Sequence, residues 1–240
     1  IGVIGAGQMG GGIAQVAAQA GIDVVVQDPF EQSIEKCKAL RAKLFARGVE
    51  KGRMTQEDAD AATARLSYCS DLEGLKGCDW IIEAAVEDVT LKTELFKTLG
   101  GMFTGENVVL ATNTSSISIT TIAAAAGDAA PRVVGMHFFN PVPVMKLVEV
   151  IRGLQTSDEV AQRTVALSDA MGKTPLVAND RAGFVSNRVL MPMINEAFYA
   201  WMEGVAEPEA IDGIMKLGMA HPMGPLRLAD FIGLDTCAHI

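Results

Sequence analysis

The stretch that decides the fold is Ile1-Gly2-Val3-Ile4-Gly5-Ala6-Gly7-Gln8-Met9-Gly10. A short apolar strand leads into three glycines with the spacing Gly-x-Gly-x-x-Gly, and a helical pattern follows to about Ala20. In such a unit the first glycine permits a tight turn, the second lets a pyrophosphate approach the backbone, and the third lets the helix pack close to the sheet. The helix N-terminus also presents free N–H groups to the phosphates. We therefore predict a dinucleotide site formed by Gly5, Gly7, Gln8, Met9 and Gly10.

A carboxylate follows the second predicted strand. The apolar run of residues 22–27 is followed by Asp28, 18 positions beyond Gly10. A carboxylate at this place accepts hydrogen bonds from an adenosine ribose and repels a 2′-phosphate, which favours NAD over NADP. The alternative is that Asp28 caps the helix that begins near Pro29.

The remaining pattern predicts an α/β fold with two domains. Apolar runs at residues 66–68, 80–86, 108–111, 132–137 and 175–178 alternate with helical patterns, as in a Rossmann-type doubly wound sheet. Residues from about 31 to 65 are predicted to form a helical arm inserted between strands. From Ala182 onward the periodicity is helical. We expect an NAD-binding domain over residues 1–178 and a smaller all-helical substrate and dimerisation domain over residues 179–240.

Composition excludes several classes of protein. The 240 residues carry a formal net charge of −9, which argues against a nucleic-acid binder. No apolar run approaches the roughly 18 residues of a membrane span. The four cysteines and three histidines are scattered, so neither a disulfide framework nor a metal site is predicted, and a reducing, cytoplasmic location fits. The start within a strand, without Met, is compatible with a removed targeting peptide.

One segment of this acidic chain is basic. Between positions 36 and 53, seven lysines and arginines accompany a single acid, Glu50. A local excess of positive charge attracts a polyanion such as a nucleotide-bearing substrate. The alternative is a solvated helix face.

The residues 135–150 carry the chemistry. Two apolar, strand-like segments flank a turn with Pro141 and Pro143, and if they fold back about Pro143, His137 lies opposite Glu149. Facing side chains of paired strands touch. A histidine held by a carboxylate is a suitable general base, although a buried salt bridge in a hairpin is the alternative.

Polar residues follow two of the predicted parallel strands. Glu87 and Asp88 come after the run of residues 80–86, and a polar run over residues 112–116 follows the run of residues 108–111. Open α/β sheets bind ligands at the carboxyl ends of their strands. For Ser115 and Ser116 the alternative is capping of the apolar helix of residues 119–126.

These motifs together resemble the L-3-hydroxyacyl-CoA dehydrogenase family. The matching stretches run essentially from end to end: residues 5–15, Asn113-Thr114-Ser115-Ser116, His137 through Glu149, residues 180–188 from Asp180 to Arg188, and Met223-Gly224-Pro225. The family usually has proline where Ala182 stands, which concerns the rigidity of that turn only. Family members continue beyond residue 240, so the helical domain is expected to be incomplete at its C-terminal end.

The resemblance implies an NAD-dependent oxidation of an L-3-hydroxyacyl-CoA to the 3-oxoacyl-CoA. His137 would take the proton of the 3-hydroxyl while hydride passes from C3 to the nicotinamide. Glu149 would orient His137, Ser115 would hydrogen-bond the 3-oxygen, and Asn187 would complete the site from the second domain.

The resemblance also implies the binding residues and the assembly. Glu87, Lys92, Asn113 and Ser115 would line the NAD pocket, and Lys51 in the basic arm would meet the phosphates of coenzyme A. The helical domain would form a homodimer. No metal, nucleic acid or membrane partner is expected.

Two other functions compete with this one. The β-hydroxyacid dehydrogenases share the glycine-rich start but need a catalytic lysine with an asparagine close behind it, and the corresponding region here supplies Asn187-Arg188 without such a lysine. A structural NAD-binding protein, like a lens crystallin that resembles the same family, is the non-enzymatic alternative. A tuned His137–Glu149 pair speaks against it, because a structural role needs no base.

Overall fold

The computed structural model describes residues 1–105 and 107–240. In it the chain divides into two compact units, Ile1–Asp180 and Arg181–Ile240. Among the helices described, none combines the length and the apolar character that crossing a membrane requires.

The first unit is built on a single eight-stranded sheet. Its strands are β1 (Gly2–Ile4), β2 (Val24–Gln27), β3 (Leu66–Cys69), β4 (Trp80–Glu83), β5 (Val109–Thr112), β6 (Val133–Phe138), β7 (Leu147–Arg152) and β8 (Thr174–Asn179). They lie in the order β3-β2-β1-β4-β5-β6-β7-β8, and every neighbouring pair is parallel except β6 and β7. The strand order reverses between β1 and β4, which confirms the predicted doubly wound sheet and places its switch point there.

Helices cover both faces of this sheet. They are α1 (Gln8–Gln19), α2 (Glu31–Glu50), α3 (Gln56–Ala64), α4 (Val89–Met102), α5 (Ile119–Ala125) and α6 (Asp158–Ala170), with α2 and α3 forming the predicted arm. Because side chains alternate along a strand, Val134 and Met136 join one buried core with Ile13 of α1. Between them Gly135 faces the other way, where a Cβ atom would lie 2.9 Å from Cδ1 of Ile119.

The second unit is entirely helical. It contains α7 (Ser186–Met202), α8 (Pro208–Gly218), α9 (Pro225–Ile232) and α10 (Leu234–His239). Prolines occupy the first positions of α8 and α9, where a missing N–H costs nothing. The Asp212 side chain in α8 accepts hydrogen bonds from the backbone N–H groups of Leu226 and Arg227, each at 2.9 Å, and so caps α9.

In the glycine-rich loop, the start of α1 lies so close to the end of β1 that the contact leaves no room for a side chain. Gly5 has a φ of +100°, which favours glycine. A Cβ atom on Gly10 would lie 1.9 Å from the carbonyl oxygen of Gly5, whereas a Cβ atom on Gly7 would meet no atom of the described residues within 4 Å. Gly10 is therefore needed for packing, and Gly7 leaves open space above the loop.

The first prediction concerns these two glycines. Gly10→Ala must push the start of α1 away from β1, and overpacking of this kind costs about 1–3 kcal/mol or more. We expect its Tm in thermal unfolding to fall by roughly 2–4 °C for each kcal/mol lost.

Gly7→Ala is the matched control, because its new methyl group enters open space. Its Tm is expected to stay near that of the parent protein. Equal Tm values for the two variants would contradict the proposed packing role of Gly10.

Candidate active site

A histidine and a carboxylate meet at the carboxyl end of β6. The antiparallel register pairs His137 with Glu149, and Nδ1 of His137 lies 2.7 Å from Oε2 of Glu149. The two residues are 7% and 4% exposed. The ring of Phe139 lies beside the imidazole, with the ring centroids 4.5 Å apart. The predicted pairing across the hairpin is confirmed. It places a buried imidazole, in contact with a carboxylate, at the carboxyl edge of the sheet, where ligands bind in α/β folds.

A buried lysine holds the turn between these two strands. Nζ of Lys173, just before β8, donates hydrogen bonds to the carbonyl oxygens of Val142 and Met145, the second at 2.9 Å. Burial lowers the pKa of Lys173, because desolvation disfavours its charged form. On the other side of the turn, which contains a cis Asn140–Pro141 bond, Nε2 of Gln8 donates to Oδ1 of Asn140 at 3.0 Å. The turn is thus fixed to both the sheet and the glycine-rich loop.

Asn113 ties the ends of three strands together. Its backbone N–H donates to the carbonyl oxygen of Glu83 at 2.7 Å, and its Oδ1 accepts the backbone N–H of Phe138 at 2.9 Å. Phe138 follows His137 directly, and β5 lies beside β6 in the sheet. The loop that carries Ser115 therefore leaves the sheet next to the strand that carries His137.

Glu87 organises that loop. Its Oε1 accepts hydrogen bonds from Oγ1 of Thr114 at 2.5 Å and from the backbone N–H groups of Ser115 and Ser116 at 2.9 and 3.2 Å. Burial raises the pKa of Glu87, but the Thr114 hydrogen bond, the charge of Lys92 and the other hydrogen bonds outweigh it, so the pKa lies below its usual value. The carboxylate is therefore ionised at neutral pH.

Neither of the two serines caps the following helix. Ser118 is the capping residue of α5, and its side chain accepts the backbone N–H of Thr121. The alternative interpretation of Ser115 and Ser116 as caps is wrong. Both lie in the loop that Glu87 holds.

Lys92 and Glu83 form a buried ion pair that was not predicted from the sequence. Nζ of Lys92 lies 2.5 Å from Oε1 of Glu83 and 3.4 Å from Oε2 of Glu87. Glu83 is 0% and Lys92 1% exposed, and Oγ1 of Thr112 donates to the second Glu83 oxygen at 2.6 Å. The pair could have been inferred from Glu83 at the end of the apolar run of β4 and Lys92 nine positions later in the chain. These contacts join Lys92 to other residues of the protein. Its role in the NAD pocket stays a prediction.

A cavity of about 650 Å³ opens at the switch point of the sheet. Oδ2 of Asp28 accepts the backbone N–H of Ala6 at 2.9 Å, and Oδ1 accepts that of Phe30 at 2.9 Å. Phe30 is the N-cap residue of α2, so the interpretation of Asp28 as that cap is wrong. The lining comes from the glycine-rich loop and the ends of β1, β2 and β4, and includes Gly5, Gly7, Asp28, Phe30, Ala85 and Leu91.

The residues of this cavity fit a dinucleotide. Gly7 leaves its space unfilled at the N-terminus of α1, where a pyrophosphate is favoured. Asp28 places a carboxylate at the end of β2, where a ribose hydroxyl is recognised. The cavity lining is largely apolar, which suits an adenine ring.

A second cavity, of about 570 Å³, is lined by Lys51, the residue predicted to meet the phosphates of coenzyme A. It lies between α1, α2 and the turn that follows His137, and its lining includes Gln8, Gly12, Lys51 and residues 140–144. Its charged lining residues are Arg41, Arg47, Lys51 and Arg53, and no Asp or Glu of the described chain lines it. An anionic ligand is therefore favoured in this cationic cavity.

Asn187 lies in the second unit, in the first turn of α7, and is 8% exposed. The loop before it contains Gly183 and Phe184, both with positive φ, at +74° and +48°. Its catalytic role stays a prediction.

Comparison with known proteins agrees with these features. The sequence model described as 3-hydroxyacyl-CoA dehydrogenase, NAD binding domain, matches residues 1–181, and the model of the C-terminal domain of the same enzyme matches residues 183–240. A probable 3-hydroxybutyryl-CoA dehydrogenase of Deinococcus radiodurans is 57% identical over 239 residues, covering 100% of this chain and 85% of the relative. The 3-hydroxybutyryl-CoA dehydrogenase of Bradyrhizobium diazoefficiens is 48% identical, with 100% and 81% covered.

Solved structures agree as well. The crystal structure of (S)-3-hydroxybutyryl-CoA dehydrogenase from Ralstonia eutropha is 50% identical and superposes with a TM-score of 0.95, covering 99% of this chain and 83% of that one. The glycine-rich loop with Asp28, the eight-stranded sheet and the matches over both units lead to one assignment. The chain belongs to the 3-hydroxyacyl-CoA dehydrogenase family and uses NAD as its cofactor.

Proposed function

We propose that His137 is the general base in the NAD-dependent oxidation of an L-3-hydroxyacyl-CoA, with a short-chain substrate such as 3-hydroxybutyryl-CoA, as the names of the relatives suggest. The observation that carries this proposal is the 2.7 Å contact between Nδ1 of His137 and Oε2 of Glu149. A carboxylate on Nδ1 fixes the tautomer whose Nε2 accepts a proton. It also stabilises the imidazolium that forms when the proton arrives.

The residues around His137 position the substrate. When bound, NAD supplies the hydride acceptor. Ser115 donates a hydrogen bond to the 3-oxygen, and Glu87 holds the loop of Ser115 through the backbone. For Asn187 a role in the same reaction stays a prediction. In the reverse direction His137 returns its proton to the 3-oxygen.

Lys51 binds the nucleotide part of the thioester. It lines the cationic cavity, which runs to the turn after His137. In this proposal the thioester arm extends from Lys51 toward the turn that follows His137. The homodimer, the cytoplasmic location and the substrate-binding and dimerisation roles of the helical unit stay predictions.

The second prediction tests the base. His137→Ala is expected to lower kcat for NADH oxidation with acetoacetyl-CoA by about 10²–10⁴, because a positioned acid–base group contributes that much. The dissociation constant of NADH, measured by fluorescence titration, should stay within about threefold of the parent value, since His137 lies outside the cavity of Asp28. Glu149→Gln keeps the shape of the pair and removes its charge, so we expect a smaller loss of kcat.

Two outcomes would contradict the proposal. Loss of NADH binding together with turnover in His137→Ala would make this residue structural. A parent protein that binds NADH but reduces no 3-oxoacyl thioester would instead favour the structural NAD-binding alternative.

The third prediction concerns the cofactor. The parent protein is expected to use NADH and to discriminate strongly against NADPH, because the Asp28 carboxylate repels a 2′-phosphate. Asp28→Ser should reduce this preference, mainly through a higher KM for NADH. Asp71→Ser, which changes another acid that lines the same cavity, is the matched control and should leave the preference unchanged. An equal loss of preference in both variants would show that the charge of the whole cavity, and not Asp28, selects the cofactor.

A further inference from the structure

Arg41 lies on α2 beneath the cationic cavity and is almost fully buried. The residue is 5% exposed and packs over α1, where a Cβ atom on Gly11 would lie 3.6 Å from its Cζ. Nη1 donates a hydrogen bond to Oε1 of Gln15 at 2.9 Å. Among the described residues the buried Nε has no hydrogen-bond partner. The guanidinium thus keeps an N–H donor that the described part of the chain leaves unused.

This burial is unfavourable for the protein alone. Within the described chain no carboxylate forms an ion pair with Arg41. Burial lowers the pKa of Arg41, because desolvation disfavours its charged form. A buried charge without an ionic partner is rare unless a ligand supplies the partner.

The surroundings of Arg41 select an anion as that partner. Arg47, Lys51 and Arg53 line the same cavity, and all three are exposed. The three exposed cations are screened by salt, whereas a guanidinium in a buried site is screened much less. Arg41 is also a planar, forked donor, which suits a phosphate better than a lysine does.

We propose that Arg41 is a specificity-determining residue that binds a phosphate group of the nucleotide part of the thioester substrate. This assignment rests on the proposed function, since the phosphate belongs to the coenzyme A ester. In it Lys51 and its exposed neighbours attract the nucleotide, and Arg41 holds one phosphate at the floor of the cavity.

The test compares substrates with and without the nucleotide. Arg41→Met is expected to raise KM for acetoacetyl-CoA about tenfold or more, the effect of one charge-assisted hydrogen bond. KM for acetoacetyl-pantetheine, which lacks every phosphate of the nucleotide, should stay within about twofold, and kcat should stay unchanged with both esters. Arg41→Lys keeps the charge and should recover part of the loss.

Lys43→Met is the matched control, since Lys43 lies on the same helix, is exposed and does not line the cavity. It should leave KM for both esters near the parent values. The Tm of Arg41→Met should stay close to that of the parent protein, because removal of a buried charge that has no ion-pair partner in the described chain offsets the lost hydrogen bond to Gln15.

Three results would overturn the proposal: equal effects on the two esters, no effect on either, or a KM for acetoacetyl-CoA that Lys43→Met raises as much as Arg41→Met. A lower Tm with equal effects on both esters would make Arg41 a structural residue.

A binding measurement separates this proposal from the proposed function. Calorimetric titration with free coenzyme A, in saturating NAD, needs no turnover. Weaker binding to Arg41→Met than to the parent and to Lys43→Met supports the phosphate site even if the parent protein reduces no thioester. Equal binding to all three proteins overturns it whatever the activity.

Discussion

The carboxyl edge of the sheet is organised around a fully buried carboxylate. Glu83 closes β4 at 0% exposure, and an isolated charge at that depth would be very costly. Lys92 and Thr112 satisfy its two oxygens, at 2.5 and 2.6 Å. Lys92 also faces Glu87, and Glu87 accepts the backbone N–H of Ser115. The buried carboxylate of Glu83 therefore helps to position the polar groups at the ends of β4 and β5.

The pair of His137 and Glu149 depends on a different constraint, the register of one antiparallel hairpin. A slip of one residue would turn either side chain to the opposite face of the sheet. The hairpin is kept in register because Lys173 donates to two carbonyl groups of its turn and Asn113 accepts the N–H of Phe138. The position of the base is thus set by groups that take no part in proton transfer.

Much of the fold and part of the site could be predicted from local patterns. The glycine spacing, Asp28 and the apolar runs predicted the doubly wound sheet, and the symmetry about Pro143 predicted the pairing of His137 with Glu149. The assignment of helix caps could not be decided in the same way. Serine occurs at residues 115, 116 and 118, and only the direction of the chain after β5 determines that Ser118 caps α5.

The sequence by itself determined the cofactor class, the order of the elements and the identity of the candidate base, because each depends on residues close together in the chain. Only the tertiary structure decided what Glu83, Lys173 and Arg41 contact. Their partners Lys92, Val142 and Gln15 lie 9, 31 and 26 positions away, respectively, and are reached through packing of separate elements. Whether a charged side chain is solvated, paired or left without an ionic partner depends on burial, which no local pattern of residue types determines.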